Sequence, residues 1–125
     1  MTRINVVPVE ELHVKHLVAE YREITRPFAK VRARIEKRQT PKSVKIPAAY
    51  TLGAGHETFF FNKLGFLVSR YQQLVQEMQR RGYNPNPVPI DKLMNGIDSV
   101  WFGQYIPTPQ AIEINRQRIK ERQPK

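Results

Sequence analysis

At 125 residues, with 21 Lys and Arg against 11 Asp and Glu, the chain is one domain's worth of strongly basic protein, its formal charge +10 and its pI near 10.2. That balance points to a polyanionic partner, nucleic acid before a membrane surface, since no stretch is long and apolar enough to span a bilayer and the first residues lack a signal peptide's apolar core. The absence of cysteine excludes disulfides, thiolate metal sites and cysteine nucleophiles, and leaves stability to packing.

The chain opens Met1-Thr2-Arg3-Ile4-Asn5. With Met1 removed, Thr2 presents a free α-amine that titrates near about 7.7–8.0, against about 10.4 for a lysine, so much more of it is a neutral nucleophile at physiological pH. Such an amine can attack a sugar carbon and form an imine. Thr2 taken alone is equally the small residue that follows many start methionines.

From Val9 to about Arg38 the residues Val14, Leu17, Tyr21, Ile24, Phe28, Val31 and Ile35 recur at spacings of three and four, which predicts a long amphipathic helix. Pro27 lies inside it and has no N–H for the Glu23 carbonyl, so the spacing predicts either a kink or two helices joined near Thr25-Arg26. Lys15, Arg22 and Arg26 share one polar stripe, and His16, Glu23, Lys30 and Arg34 the next. Charge alone makes these a solvated face; a functional reading makes them a phosphate grip with Glu23 as its only inward-facing acid. An acid flanked by Arg22 and Arg26 in so basic a chain should stay ionised and available as a base. His13, His16 and Glu20 lie one helical turn apart, a metal-like spacing without a further ligand nearby, so no metal and no cofactor is expected.

Gln39 to Pro47 is a basic, proline-bearing loop, and Leu52-Gly53-Ala54-Gly55-His56 a glycine-rich turn expected to pack on Phe59-Phe60-Phe61. No Lys-Ser/Thr follows those glycines, which excludes a nucleotide-binding P-loop. A second helix is predicted from about Asn62 to Arg81, burying Leu64, Leu67, Tyr71, Leu74, Val75 and Met78 and stopping at Gly82. The prolines at 85, 87 and 89 make an extended connector, and Ile90 to Tyr105 is irregular with one short helical turn. Thr108-Pro109 supplies an N-cap and a first-turn proline for a third helix carrying Arg116, Arg118, Lys120 and Arg122. None of the three serines sits in a nucleophile elbow, so serine hydrolase chemistry is not expected. The fold class expected is all-α: a single compact domain over 1–125, of about three main helices with long irregular connections.

Thr2-Arg3-Ile4-Asn5, His16-Leu17, Ala19-Glu20-Tyr21-Arg22-Glu23, Arg26, Leu52-Gly53-Ala54-Gly55-His56, Thr58-Phe59-Phe60, Lys63-Leu64, Phe66-Leu67, Arg81-Gly82 and Tyr105-Ile106-Pro107 together resemble the pyrimidine-dimer DNA glycosylases, in order and over nearly the whole chain. The resemblance implies a bifunctional glycosylase and abasic-site lyase acting on ultraviolet-induced cyclobutane dimers in double-stranded DNA. It makes the Thr2 amine the nucleophile at C1′ and Glu23 the acid that stabilises the cationic transition state. Arg3, Arg22, Arg26, Arg118 and Arg122 would hold phosphates, with Lys15 and His16 also toward DNA. A monomer in the cytoplasm is expected, with a viral source as an option. The chain departs from the family pattern at Lys15, where the pattern has an uncharged polar residue, and at Pro124-Lys125, where it continues into an aromatic-rich tail. Two alternatives stay open: a related lyase for ring-opened purines or abasic sites, and a noncatalytic basic DNA-binding protein in which Thr2 and Glu23 are idle.

Overall fold

The computed structural model describes residues 2–122, and its elements follow the apolar periodicity closely. After an irregular N-terminal segment and a 3-10 turn at Val9–Glu11, five α-helices follow in chain order: α1 Val14–Glu23, α2 Arg26–Glu36, α3 Leu64–Arg80, α4 Ile90–Met94 and α5 Pro109–Glu121. The architecture is all-α, as expected; among the described residues the backbone pairs strand-like only at one isolated bridge, Lys63 with Phe102. None of the described helices is long and apolar enough to cross a membrane.

The predicted first helix is two helices. Ile24 and Thr25 join them in near-helical conformation, and Pro27 sits in the first turn of α2, where its missing N–H costs nothing. Helix α1 also starts later than the periodicity suggests: His13 takes the N-cap in extended conformation, its Nδ1 accepting from the Lys15 N–H at 3.1 Å. Helix α2 ends on Arg38 at φ 61, a left-handed position that the sequence marks with no glycine. Helix α3 ends as predicted: Gly82 takes φ 90, and the Tyr83 N–H returns to the Met78 carbonyl at 2.9 Å.

Helix α3 carries the centre of the core. It buries Leu64, Leu67, Tyr71, Leu74 and Met78 against α1, with Leu17, Ile24, Phe28 and Val31 from the α1–α2 pair. Phe59, Phe60, Phe61 and Trp101 are all buried, so the aromatic cluster is core, as the sequence suggests. Its rings meet edge-on, Phe59 on Phe60 at 5.0 Å and on Tyr105 at 5.2 Å. The 95–108 connection closes over the start of α3 by backbone contact. The Phe66 N–H donates to the Gly103 carbonyl at 3.2 Å and the Gly103 N–H to the Asn62 carbonyl at 3.1 Å. A Cβ at Gly103 would stand 2.3 Å from the Asn62 carbonyl oxygen, which is why glycine is needed there. The 83–89 segment is extended, and the Tyr71 hydroxyl, on a ring stacked with Tyr21, accepts the Val88 N–H at 2.9 Å.

Candidate active site

Residues 2–7 enter the core with no helix or sheet to satisfy their backbone, and buried N–H and C=O groups without partners are costly. Side chains from every quarter of the fold take that role. The Arg3 N–H donates to Glu23 Oε1 at 2.7 Å, and the Ile4 N–H to His56 Nε2 at 2.9 Å. The Tyr50 hydroxyl donates to the Ile4 carbonyl at 3.1 Å. Asn115 Oδ1 accepts from both the Val6 N–H at 2.7 Å and the Val7 N–H at 3.1 Å, and Arg70 donates to the Val7 carbonyl.

A buried polar chain joins these anchors. Asn115 Nδ2 donates to Asn5 Oδ1 at 2.8 Å, and Asn5 Nδ2 to Glu20 Oε1 at 2.9 Å. Glu20, 1% exposed, takes two bonds from Arg70, from Nε at 2.8 Å and from Nη2 at 3.0 Å. That planar fork satisfies a carboxylate in a way a lysine could not. Glu20 is therefore neither a surface charge nor a metal ligand; its inward place corrects the reading of Glu23 as the only acid facing the interior. Glu23 itself is half-buried at the end of α1.

The segment so held leaves Thr2 8% exposed at the floor of a polar depression. Arg26 Nη1 reaches the Thr2 hydroxyl at 3.3 Å, so the end of α1 and the start of α2 flank the terminus as the sequence suggests. Two cavities of about 300 Å³ each meet at Arg3. The first is walled by Glu23, Lys15 and His16 from α1 and by Arg118 and Arg122 from α5. The second contains Thr2, with Lys30, His56 and an ion-paired Glu57. Thr2 and Glu23 thus sit on either side of Arg3. Of the site residues singled out in the sequence, Arg22 and Arg26, both exposed, line neither cavity; Arg26 meets the site through its bond to Thr2.

Electrostatically the first cavity is a cation cluster. The Arg3 guanidinium is pulled below its ordinary value, first by burial and then by repulsion from Arg122 and Arg118. Three guanidiniums held close enough to oppose one another make a site for an anion such as phosphate. His16 is held below its ordinary value by burial and next by His13, and its Nε2 is buried without a hydrogen-bond partner.

Sequence reasoning missed Asn5, Glu20, Tyr50, His56, Arg70 and Asn115 as supports of the terminus. The signal for the helical ones was there: Glu20 falls between Leu17 and Ile24, Arg70 between Leu67 and Leu74, and Asn115 between Ala111 and Ile119, polar residues inside apolar stripes.

Two stability effects follow. Glu20→Ala leaves the Arg70 charge buried without its partner and should cost about 3–5 kcal/mol in urea unfolding. Glu11→Ala, which breaks the exposed pair with Arg116, should cost less than about 1 kcal/mol. His56 is neutral in the fold: Nδ1–H donates to the Thr51 carbonyl at 2.8 Å while Nε2 accepts from Ile4. Burial, first among the causes, lowers its folded pKa below the ordinary histidine value. The unfolded chain then binds the extra proton first, so stability present above about pH 6.5 falls as pH drops toward the folded value. His56→Leu should be less stable at pH 7 by about 1–3 kcal/mol, through the unpaired Ile4 N–H, with a flatter acid limb.

In comparison with models of protein families, residues 1–91 match the one described as pyrimidine dimer DNA glycosylase.

Proposed function

This chain belongs to the pyrimidine dimer DNA glycosylase family, whose match takes in the N-terminal segment, α1, α2 and α3, and from that premise we propose that it removes dimerised pyrimidines through the amine of Thr2. The observation that carries the reading is the bond between the Arg3 N–H and Glu23, which ties the terminus to an acid one residue away from the reacting amine. The reading requires that Met1 be removed.

On this reading the phosphates of a damaged duplex are gripped by Arg3, Arg118 and Arg122 in the first cavity, with Lys15 beside them and Arg22 and Arg26 on the outer face of the α1–α2 junction. The Thr2 amine gives its lone pair to C1′ of the damaged nucleotide. The glycosidic electrons leave with the base, and the ring oxygen is released as the imine forms. Glu23 offsets the positive charge that develops at C1′ and serves as the base for the protons that move. Loss of a 2′ proton then expels the 3′ phosphate by β-elimination, which makes the activity a lyase as well as a glycosylase.

Borohydride added to protein and dimer-containing duplex should trap a covalent adduct that maps to Thr2, and an abasic duplex should give the same adduct. An adduct on a lysine, or none, contradicts the mechanism. Glu23→Gln should keep lesion binding within about threefold and lower strand cutting by about 100-fold or more.

A further inference from the structure

Helix α5 lies outside the residues matched by the family model, yet it supports the candidate site in two ways. Arg118 and Arg122 stand three and seven positions after Asn115, so one face of the helix carries all three. The arginines reach the first cavity. Asn115 does not; it is wholly buried under residues 5–7.

An extended segment held at one point can swivel about it. Ile4 is such a point, gripped by His56 and Tyr50 from the 50–56 loop. Beyond it Asn115 holds the Val6 and Val7 amides, with Arg70 on the Val7 carbonyl, and anchors on both sides of Asn5 fix the direction in which Arg3 meets Glu23. Asn115 uses three of its bonding positions at once: both lone pairs of Oδ1 on the Val6 and Val7 amides, and Nδ2 on Asn5. Among side chains of its size, only an amide offers two acceptor positions and a donor at these angles. The Asn5 bond carries the constraint on to Glu20, one helical turn before Glu23 on α1.

We propose that Asn115 is a positioning residue: by holding the Val6 and Val7 amides it sets the direction in which the segment delivers Thr2 toward Glu23, so that the helix that grips phosphate also aims the nucleophile. The inference rests on the imine mechanism proposed above. A displacement of about 1 Å at the reacting amine is enough to cost about 100-fold in rate, while leaving phosphate contacts on the protein surface intact.

Two variants test it, Asn115→Leu and Asn115→Asp. Asp keeps the two-amide acceptor but sets a buried carboxylate oxygen against Asn5 Oδ1, so that the bond to Asn5 gives way to repulsion; Leu loses all three bonds. Binding is read on a duplex carrying a tetrahydrofuran abasic analogue, which cannot form an imine, and chemistry by single-turnover borohydride trapping at saturating protein. The expected result is analogue affinity within about twofold of the parent for both variants, trapping slowed by between about tenfold and 100-fold in Leu, and an intermediate rate in Asp. Should Leu fail to fold, the Asp variant decides: slowed trapping with unchanged analogue binding supports the assignment. Trapping at the parent rate, or binding and trapping lost in parallel, overturns it. A parent protein that traps nothing at all is a separate outcome, and it overturns the imine mechanism itself.

Discussion

The structure depends on burying a stretch of backbone that belongs to no helix and no sheet. Residues 3–7 carry peptide groups into the core, and five side chains from α1, α3, α5 and the 50–56 loop meet them. In an ordinary domain a neighbouring strand would do this with repeating backbone bonds. Side chains do it less cheaply, since each must be fixed in turn, and so the fold invests a buried Glu20–Arg70 pair and the Asn5–Asn115 contact in the task. A buried ion pair is weak support for stability compared with apolar packing of the same volume. Its presence here makes sense as geometry: it holds a terminus still.

Around that fixed segment the charge distribution is one-sided. Arg3, Arg118, Arg122 and Lys15 converge on one cavity, and Glu23 is the acid that meets them there beside the buried Glu20. Like charges held together raise the free energy of the unliganded protein, and an incoming phosphate relieves it. The grip on DNA and the reacting amine are thus adjacent but separate on the proposed reading, with Arg3 as the residue common to both: its guanidinium is in the cation cluster and its N–H is on Glu23. Duplex binding by such contacts is expected to weaken steeply with salt, whereas the chemistry at Thr2 should not.

Much of this was legible in the sequence because burial on a helix leaves a period. Leu64, Leu67, Tyr71, Leu74 and Met78 announced α3 and its buried face, Gly82 its end, and Thr108-Pro109 the start of α5, where the Thr108 hydroxyl accepts the Ala111 N–H at 3.0 Å. The break near Thr25 followed from one proline. Less legible was the division of labour among polar residues. Glu20 and Glu23 differ by three positions and look alike in a charge pattern, yet one turns in to Arg70 and the other toward the terminus. Asn5, Asn115 and Arg70 are separated by up to 110 positions, and their meeting is a consequence of packing that no local pattern encodes. His56 looked like the end of a glycine turn; its ring is the acceptor for Ile4 because the turn at Gly53 and Gly55, both left-handed, folds it back beneath Tyr50.

On the proposed reading this scaffold presents the α-amine of Thr2. The most direct measurement compares dimer-dependent strand cutting by protein that begins at Thr2 with cutting by protein that retains Met1, at equal binding to lesion duplex. The account predicts that cutting is lost when Met1 is kept, since the Thr2 nitrogen is then an amide without a nucleophilic lone pair. Equal cutting by both forms would contradict it.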